Sequence, residues 1–354
     1  MALTLSALSD LDTLPFDAVI DVRSPAEFAE DHIPGAINLP VLDNAERARV
    51  GTIYTQQSAF RARRIGAALV ARNAARHLEG PLADKAKGWR PLVHCWRGGQ
   101  RSGAFATILC QVGWRVETLA GGYRSYRRLV KAALYDTPVA APVVVLDGDT
   151  GTAKTEILAR LARRGHQVID LEGLANHRGS IFGARAGGQP AQKAFESALA
   201  HRLRGFDPAR PVLVEAESSK VGRLNVPLAL WEAMKAAPRI VVTAPRTARA
   251  DYTARAYRDI LAAPDELRAM IAGLAFRHPK DTIARWQNLA EAGEVETLTV
   301  ELMAEHYDPL YARQRARLPA PAERISLGAL DEVALDAALA KIEVAITRSG
   351  GAHR

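Results

Sequence analysis

Twice in this chain a short apolar run ends in a glycine-bearing loop that opens straight into an amphipathic helix. Pro91-Leu92-Val93 delivers His94-Cys95-Trp96-Arg97-Gly98-Gly99-Gln100-Arg101-Ser102, and its helix continues to Val112. Val143-Val144-Val145-Leu146-Asp147 delivers Gly148-Asp149-Thr150-Gly151-Thr152-Ala153-Lys154-Thr155, and its helix continues to Arg164. A buried strand that hands over to a helix is the unit from which α/β folds with parallel sheets are built. Ligand sites in such folds gather in the loops at the carboxyl ends of the strands. With 354 residues the chain is long enough for two separate cores, so the two units predict two α/β domains.

The first loop suits an anion held beside a thiolate. Gly98 and Gly99 let successive backbone N–H groups point inward, the helix N-terminus adds partial positive charge, and Arg97 and Arg101 add whole charges. The same field lowers the pKa of the Cys95 thiol and makes it the candidate nucleophile. Cys110 lies among Ala106, Ile108, Leu109 and Val112 of the following helix and is expected to be core packing. Cys95 and Arg101 also stand in the Cys-x5-Arg spacing of phosphatases. The loop by itself therefore leaves phosphoryl transfer and sulfur or selenium transfer both open.

The second loop has the P-loop pattern Gly-x4-Gly-Lys-Thr with one departure, Ala153 in place of the second glycine. Backbone N–H groups from Gly148 through Thr150 and Gly151 to Lys154 would cradle a diphosphate, Lys154 would reach the terminal oxygens, and Thr155 would hold an oxygen or a metal ion. A methyl group at 153 crowds the loop if that residue needs a positive φ. The strand from Pro211 ends in Glu215 and Glu217, the candidates for an acid or metal-organising carboxylate. The loop after Gln167-Val168-Ile169-Asp170 carries His177, Arg178 and Ser180 to the same sheet end as candidate substrate contacts. A further strand is expected at 239–243, helices near 246–262, 264–276, 279–292 and 305–317, then one strand and one helix over 325–348, with Ser349 onward disordered.

The charge balance bears on the partner. The formal net charge is +8, and the basic excess belongs to the first 245 residues. Clusters at Arg61, Arg63 and Arg64, at Arg124, Arg127, Arg128 and Lys131, and at Arg160, Arg163 and Arg164 together fit an RNA-sized anion. Two cysteines in dissimilar settings point to a reducing compartment, and the sequence shows neither an apolar run of membrane-spanning length nor a secretory leader. A cytoplasmic protein with no membrane partner is expected.

Asp21-Val22-Arg23-Ser24-Pro25-Ala26-Glu27-Phe28, with Ser24 capping a helix and Glu27 three residues on, precedes His32-Ile33-Pro34-Gly35-Ala36-Ile37-Asn38. The cysteine loop follows, then Gly113-Trp114-Arg115-Val116-Glu117 and the turn Gly121-Gly122-Tyr123. This order resembles the rhodanese domain over about residues 5–135 and implies sulfur or selenium carried on Cys95. The second half adds the P-loop, Asp170-Leu171-Glu172-Gly173-Leu174-Ala175-Asn176-His177-Arg178-Gly179-Ser180, Gln189-Pro190 with Phe195-Glu196, and Val226-Pro227-Leu228-Ala229-Leu230-Trp231-Glu232. The combination resembles the bacterial tRNA 2-selenouridine synthase family across nearly the whole chain, with Ala153 and Gln100 as departures.

The resemblance implies replacement of sulfur by selenium in 2-thiouridine at the wobble position of tRNAs for Lys, Glu and Gln, through an S-geranyl intermediate. Geranyl diphosphate and selenophosphate would be the co-substrates, with a selenophosphate source as partner, no tightly bound cofactor, no certain metal site, and Mg²⁺ allowed. Selenium would be taken up on Cys95 within Arg97, Gly98, Gly99 and Arg101, and the geranyl donor's diphosphate would sit on Gly148, Thr150, Gly151, Lys154 and Thr155. The expected division is a rhodanese-like domain at 1–135, a linker at 136–142, a P-loop NTPase-like parallel-sheet domain at 143–245 and a mostly helical part at 246–354 packed on it. Two other readings are a rhodanese-type sulfurtransferase or phosphatase with an ATP-binding regulatory domain, and a non-enzymatic selenium or sulfur carrier.

Overall fold

The computed structural model describes residues 2–180, 182–258 and 263–351. The chain forms two compact units, Met1–Thr137 with Pro190–Arg204, and Pro138–Gln189 with Gly205–Arg354.

In the first unit five strands lie in the order Ala2–Leu3, Glu117–Leu119, Pro91–His94, Ala18–Asp21, Ile37–Asn38, every pair parallel. Pro91–His94 is central and completely buried, which explains its unbroken apolar pattern. Helices Ala59–Glu79 and Gln100–Val112 supply Leu69, Val70, Phe105 and Leu109 to a core with Ile20, Val22 and Val93. Ser24 caps helix Pro25–Glu30 as expected, with Glu27 accepting from the Ser24 N–H at 3.1 Å.

In the second unit the order is Glu323–Ser326, Arg239–Thr243, Val143–Gly148, Val212–Glu215, Gln167–Ile169, again all parallel and again with the loop-bearing strand in the centre. One face of this sheet is closed by helices Lys154–Arg163 and Glu332–Gly351, through Ile157, Leu158, Leu161, Leu335, Leu339 and Ile342 against Val144, Leu146 and Val242. A second, all-helical core gathers Leu267, Ile271, Ile283, Trp286, Leu298 and Leu302.

Several sequence expectations are corrected. Helix Gln192–Arg204, which the sequence boundaries place inside the P-loop domain, belongs to the first unit. Its buried face mixes Phe195, Leu199 and Ala200 with polar groups tied to that unit: Ser197 Oγ donates to Asp31 at 2.7 Å, and Glu196 pairs with Arg127 and accepts from the Tyr135 hydroxyl at 2.7 Å, while at the exposed end Arg204 holds Asp12 at 2.5 Å. Periodicity marks such a segment as helical without saying which core it covers. Cys110 is exposed, on the outer side of its helix, because Phe105, Ala106 and Leu109 already fill the inward stripe. The C-terminal helix runs through Ser349 to Gly351 rather than fraying before it, since Ala345 and Ile346 are core residues; residues 352–354 lie outside the described residues. The first of the C-terminal helices is Arg246–Ala256, and 259–262 of its expected span are also outside them. Helix Val295–Leu302 and the hairpin Lys220–Val221 with Leu224–Asn225 went unread in the sequence.

Candidate active sites

Cys95 follows the central strand of the first sheet and is buried. Its sulfur accepts from the Gly99 N–H at 3.3 Å and from the Ser102 hydroxyl at 3.2 Å. Burial works against the thiolate, yet these donors, the Ser102 amide and the charge of Arg101 outweigh it and hold the thiol below its ordinary pKa. The sequence shows Ser102 only as the last residue of the loop, where the helix opens; in the structure its side chain addresses the sulfur.

The loop's path requires glycine at two places. Gly98 has φ +66°, and a Cβ there would lie 2.5 Å from the Leu119 carbonyl oxygen. Gly122 has φ +59°, and a Cβ there would overlap the Cys95 carbonyl oxygen and the Gly98 nitrogen. The Gly121-Gly122-Tyr123 turn thus seats directly under the cysteine loop, with Tyr123 N–H donating to the Cys95 carbonyl at 2.8 Å and Arg124 N–H to the Trp96 carbonyl at 3.0 Å.

The two loop arginines diverge. Arg101 donates to Glu27 at 2.7 and 3.2 Å, so its guanidinium is already neutralised by a carboxylate. Arg97 is exposed and has no ion-pair partner among the described residues. A phosphate-gripping role for the arginine of the Cys-x5-Arg spacing would first require that Glu27 contact to break. Trp96 lies 5.3 Å from the Tyr123 ring, with Lys193 Nζ 5.5 Å and Arg23 6.0 Å from its own ring centre. Beneath them Asp21 and Arg23 form a fully buried ion pair at 2.6 Å. His94 is wholly buried with neither ring nitrogen hydrogen-bonded, and burial drives its pKa down to about 4 against the pull of Asp21.

The P-loop leaves the central strand of the second sheet. Ala153 has φ 60° and ψ 26°, the left-handed conformation that a glycine would take without strain. The Cβ constraint foreseen from sequence is therefore present, yet the loop keeps its course because the methyl is buried in the core with Ile157 and Val144. Lys154 Nζ donates to the carbonyls of Gly148 at 2.9 Å and Asp149 at 3.3 Å, and lies 5.9 Å from the Tyr311 ring. Arg249 reaches the Thr150 carbonyl at 3.1 Å while paired to Asp308 at 2.9 Å, and Arg315 pairs with Asp149. Arg249, Asp308, Tyr311 and Arg315 come from the helical C-terminal segment; the sequence marks Tyr311 and Arg315 only as part of an aromatic and arginine helix face suited to nucleic acid, whereas here Arg315 pairs with Asp149 and Tyr311 faces Lys154.

The carboxylates meet beside Lys154. Thr155 Oγ1 donates to Glu172 at 3.1 Å, and Glu215 accepts from the Glu172 N–H at 2.7 Å while its other oxygen has no partner. Glu172 and Glu217 are hydrogen-bonded to each other; burial and mutual repulsion push Glu217 up to about 8, against the pull of Lys154. Burial, with the neighbouring carboxylates, also holds Glu215 well above the usual carboxylate range. Gly179 packs on this pair so closely that a Cβ would lie 2.6 Å from Glu172 Oε1. Among the described residues no group of three or more His, Cys, Asp or Glu side chains is arranged to hold a metal ion. Of the other loop residues, Ser180 lies 3.4 Å from the Tyr257 hydroxyl, Arg178 stacks 4.9 Å from the Tyr257 ring, and His177 accepts from the Gly179 N–H at 3.1 Å. Gly179 and Ser180 reach the carboxylates and the cavity beside them, whereas His177 and Arg178 brace the loop.

Fold and loops together define a protein of two parts, a rhodanese-like α/β domain with a buried, hydrogen-bonded cysteine in its glycine loop and a P-loop α/β domain with a helical extension. Family models match accordingly: a rhodanese-like domain over residues 4–129 and a tRNA 2-selenouridine synthase AAA domain over residues 141–273. Relatives named tRNA 2-selenouridine synthase extend the match over the chain. That of Hahella chejuensis is 33% identical, covering 87% of this chain and 87% of its own, that of Chromohalobacter salexigens 34% over 85% and 89%, and that of Cupriavidus necator 36% over 84% and 88%. The chain belongs to the tRNA 2-selenouridine synthase family.

Proposed function

We propose that this protein modifies tRNA by exchanging the sulfur of a wobble 2-thiouridine for selenium, in two steps served by its two loops. The observation that carries the reading is that one chain holds both a hydrogen-bonded, low-pKa cysteine in a bare-amide loop and a P-loop whose lysine is poised on the loop carbonyls. In the first step the thio sulfur attacks the allylic carbon of geranyl diphosphate. The carbon–oxygen bond breaks, diphosphate departs and the base loses its N3 proton. Lys154 and the amides from Gly148 to Lys154 stabilise the charge that grows on the leaving diphosphate. Thr155, whose hydroxyl now donates to Glu172, would be the residue to hold Mg²⁺ if the ion takes part, adding positive charge beside the leaving diphosphate.

In the second step selenophosphate sits in the loop of Arg97, Gly98 and Gly99. Selenophosphate carries selenium at the selenide level, so a selenium–sulfur bond on Cys95 would need a two-electron oxidant. The balanced course is attack of the selenium on carbon 2, loss of geranyl thiolate, and transfer of the phosphoryl group from selenium to the Cys95 thiolate, from which water removes it. Exposed Arg97 and Arg124 face solvent close to this loop and suit the anticodon phosphates, with binding that weakens steeply in salt. The acceptor tRNAs for Lys, Glu and Gln and a cellular source of selenophosphate complete the proposal.

The test incubates the protein with tRNA containing 2-thiouridine and geranyl diphosphate, before and after adding selenophosphate, and reads the nucleosides by mass spectrometry. A geranyl adduct that converts to 2-selenouridine is expected. Cys95→Ala should stop at the adduct and Lys154→Ala before it; equal loss of geranylation in both, with folding and tRNA binding intact, defeats this division. A trapped Cys95 adduct should lack the isotope pattern of selenium.

A further inference from the structure

Between Arg47 and Leu78 the chain holds seven arginines and not one aspartate or glutamate. The structure folds this stretch into helices Asn44–Gln56 and Ala59–Glu79, a packed pair joined at Gln57 and Ser58. The inward side of the pair is ordinary core, with Ile53, Ala62, Leu69 and Val70 buried. Its tip is different. Phe60 is 75% exposed and Tyr54 53% exposed, two aromatic rings left in water within one turn of the bend. Arg61, Arg63 and Arg64 stand beside them in the sequence, all exposed.

These arginines differ from the other basic clusters. Arg160 is held by Glu156 and Asp336, and Arg164 by Glu343, so that cluster is neutralised within its own fold. Arg127 is likewise held by Glu196. None of Arg49, Arg61, Arg63 and Arg64 has an ion-pair partner among the described residues, and Arg61 donates to the neutral amide of Gln57 at 3.1 Å. Bare rings and mutually repelling cations both gain by being covered, so a surface that keeps them together suits a partner. An acidic protein would satisfy the cations alone. An unpaired nucleic-acid strand satisfies both, because its bases stack on aromatic rings and its phosphates take arginine.

We infer that the tip of this helical hairpin is an RNA-docking arm: Phe60 and Tyr54 stack unpaired bases of the tRNA, and Arg61, Arg63 and Arg64 hold the phosphates beside them. The inference rests on the reading that tRNA is the substrate, and adds where it is gripped. The arm begins near the cysteine loop, since Arg47 approaches Glu27, the partner of Arg101, at 3.8 Å. Its tip lies about 14 Å further along the helix, at about 1.5 Å per residue. The arm therefore holds nucleotides flanking the one that reacts, and it acts on affinity rather than on chemistry.

Equilibrium binding to the full chain, titrated with salt, of a stem–loop RNA carrying the anticodon loop and of a fully paired duplex of the same length tests this. Phe60→Ala should weaken the stem–loop about 10-fold at every salt concentration and leave the duplex untouched. Arg61→Gln, Arg63→Gln and Arg64→Gln together should lower the steepness of log affinity against log salt by about 2, since each phosphate contact on a single strand contributes about 0.7. Arg160→Gln with Arg164→Gln, the carboxylate-held cluster, should leave that steepness in place. Unchanged affinity and steepness in the tip variants, in folded protein whose wild type binds the stem–loop, overturn the arm and leave the substrate reading standing. Failure of the wild type to bind either RNA takes down the substrate reading and the arm with it. Equal weakening of stem–loop and duplex by Phe60→Ala overturns the stacking of unpaired bases. A tip substitution that dissolves a dimer in sedimentation while RNA affinity holds gives the surface to a second copy of the chain and also overturns the proposal.

Discussion

Replacing Ser102 by alanine removes one hydroxyl from a fully buried position and should change the chemistry of a sulfur 3.2 Å away. A hydrogen bond to a charged group contributes about 1.5–3 kcal/mol, and one to a neutral group about 1 kcal/mol. The thiolate therefore loses about 1–2 kcal/mol more than the thiol does, which is about one pKa unit upward. The Gly99 and Ser102 amides and Arg101 remain, so the shift should not reach the full cost of burial. Cys110 is exposed and would dominate any alkylation signal, so the measurement belongs in a Cys110→Ala background. The rate of iodoacetamide labelling against pH gives the midpoint for Cys95 directly. A midpoint raised by about one unit is expected, with an unchanged limiting rate at high pH. A midpoint that stays in place or falls, in protein with unaltered circular dichroism, would refute the view that the hydroxyl holds the thiolate.

His94 is buried neutral with a pKa near 4, whereas the unfolded chain takes up that proton near 6.5. The unfolded state thus binds more protons between those values, and stability present above about pH 6.5 is lost as pH falls toward 4. By linkage this amounts to about 2 kcal/mol between pH 7 and pH 5, which denaturant titrations of the wild type and of His94→Leu should show as a slope present only in the former. Glu217 has the opposite sign: its pKa is raised to about 8, so its ionisation destabilises the fold as pH rises from about 4.5 through 8, and Glu217→Gln should flatten thermal stability over that range. Glu196→Ala leaves the half-buried Arg127 guanidinium without its carboxylate and the Tyr135 hydroxyl without its acceptor and should cost the first unit about 2 kcal/mol in denaturant unfolding; a loss below about 0.5 kcal/mol would show the pair to be dispensable. Ala153→Gly relieves about 1 kcal/mol of left-handed strain but gives up a buried methyl and stiffens the unfolded chain less. Its net effect on the melting curve should be under about 1 kcal/mol, and a larger loss would contradict the φ of 60°.

Much of the chemistry was legible in the chain because it depends on neighbours in sequence. Consecutive apolar residues ending in Cys95 or Gly148 can only be strands that present a loop at a sheet end, and glycines at 98 and 151 mark backbone that must turn with positive φ. The capping pair Ser24 and Glu27, the P-loop lysine and threonine, and the carboxylates at 215 and 217 are all set by local spacing. What spacing could not give is the second use of each group. Glu27 caps its helix and also neutralises Arg101, a residue 74 positions away. Glu172 reads as the start of a loop and becomes the hinge between Thr155, Glu217 and Glu215.

The sequence by itself determined that this protein has two parallel α/β units, where the cysteine loop and the P-loop leave their central strands, and the family to which it belongs, since these follow from short-range order and strand periodicity. Only the tertiary structure decided that helix Gln192–Arg204 serves the first unit, that Cys110 faces outward, that Ala153 bears a glycine's conformation, and that Tyr311 and Arg315 stand at the P-loop. Each of these depends on which surface meets which. That is settled by burial and charge pairing between segments far apart in the chain, where periodicity carries no information.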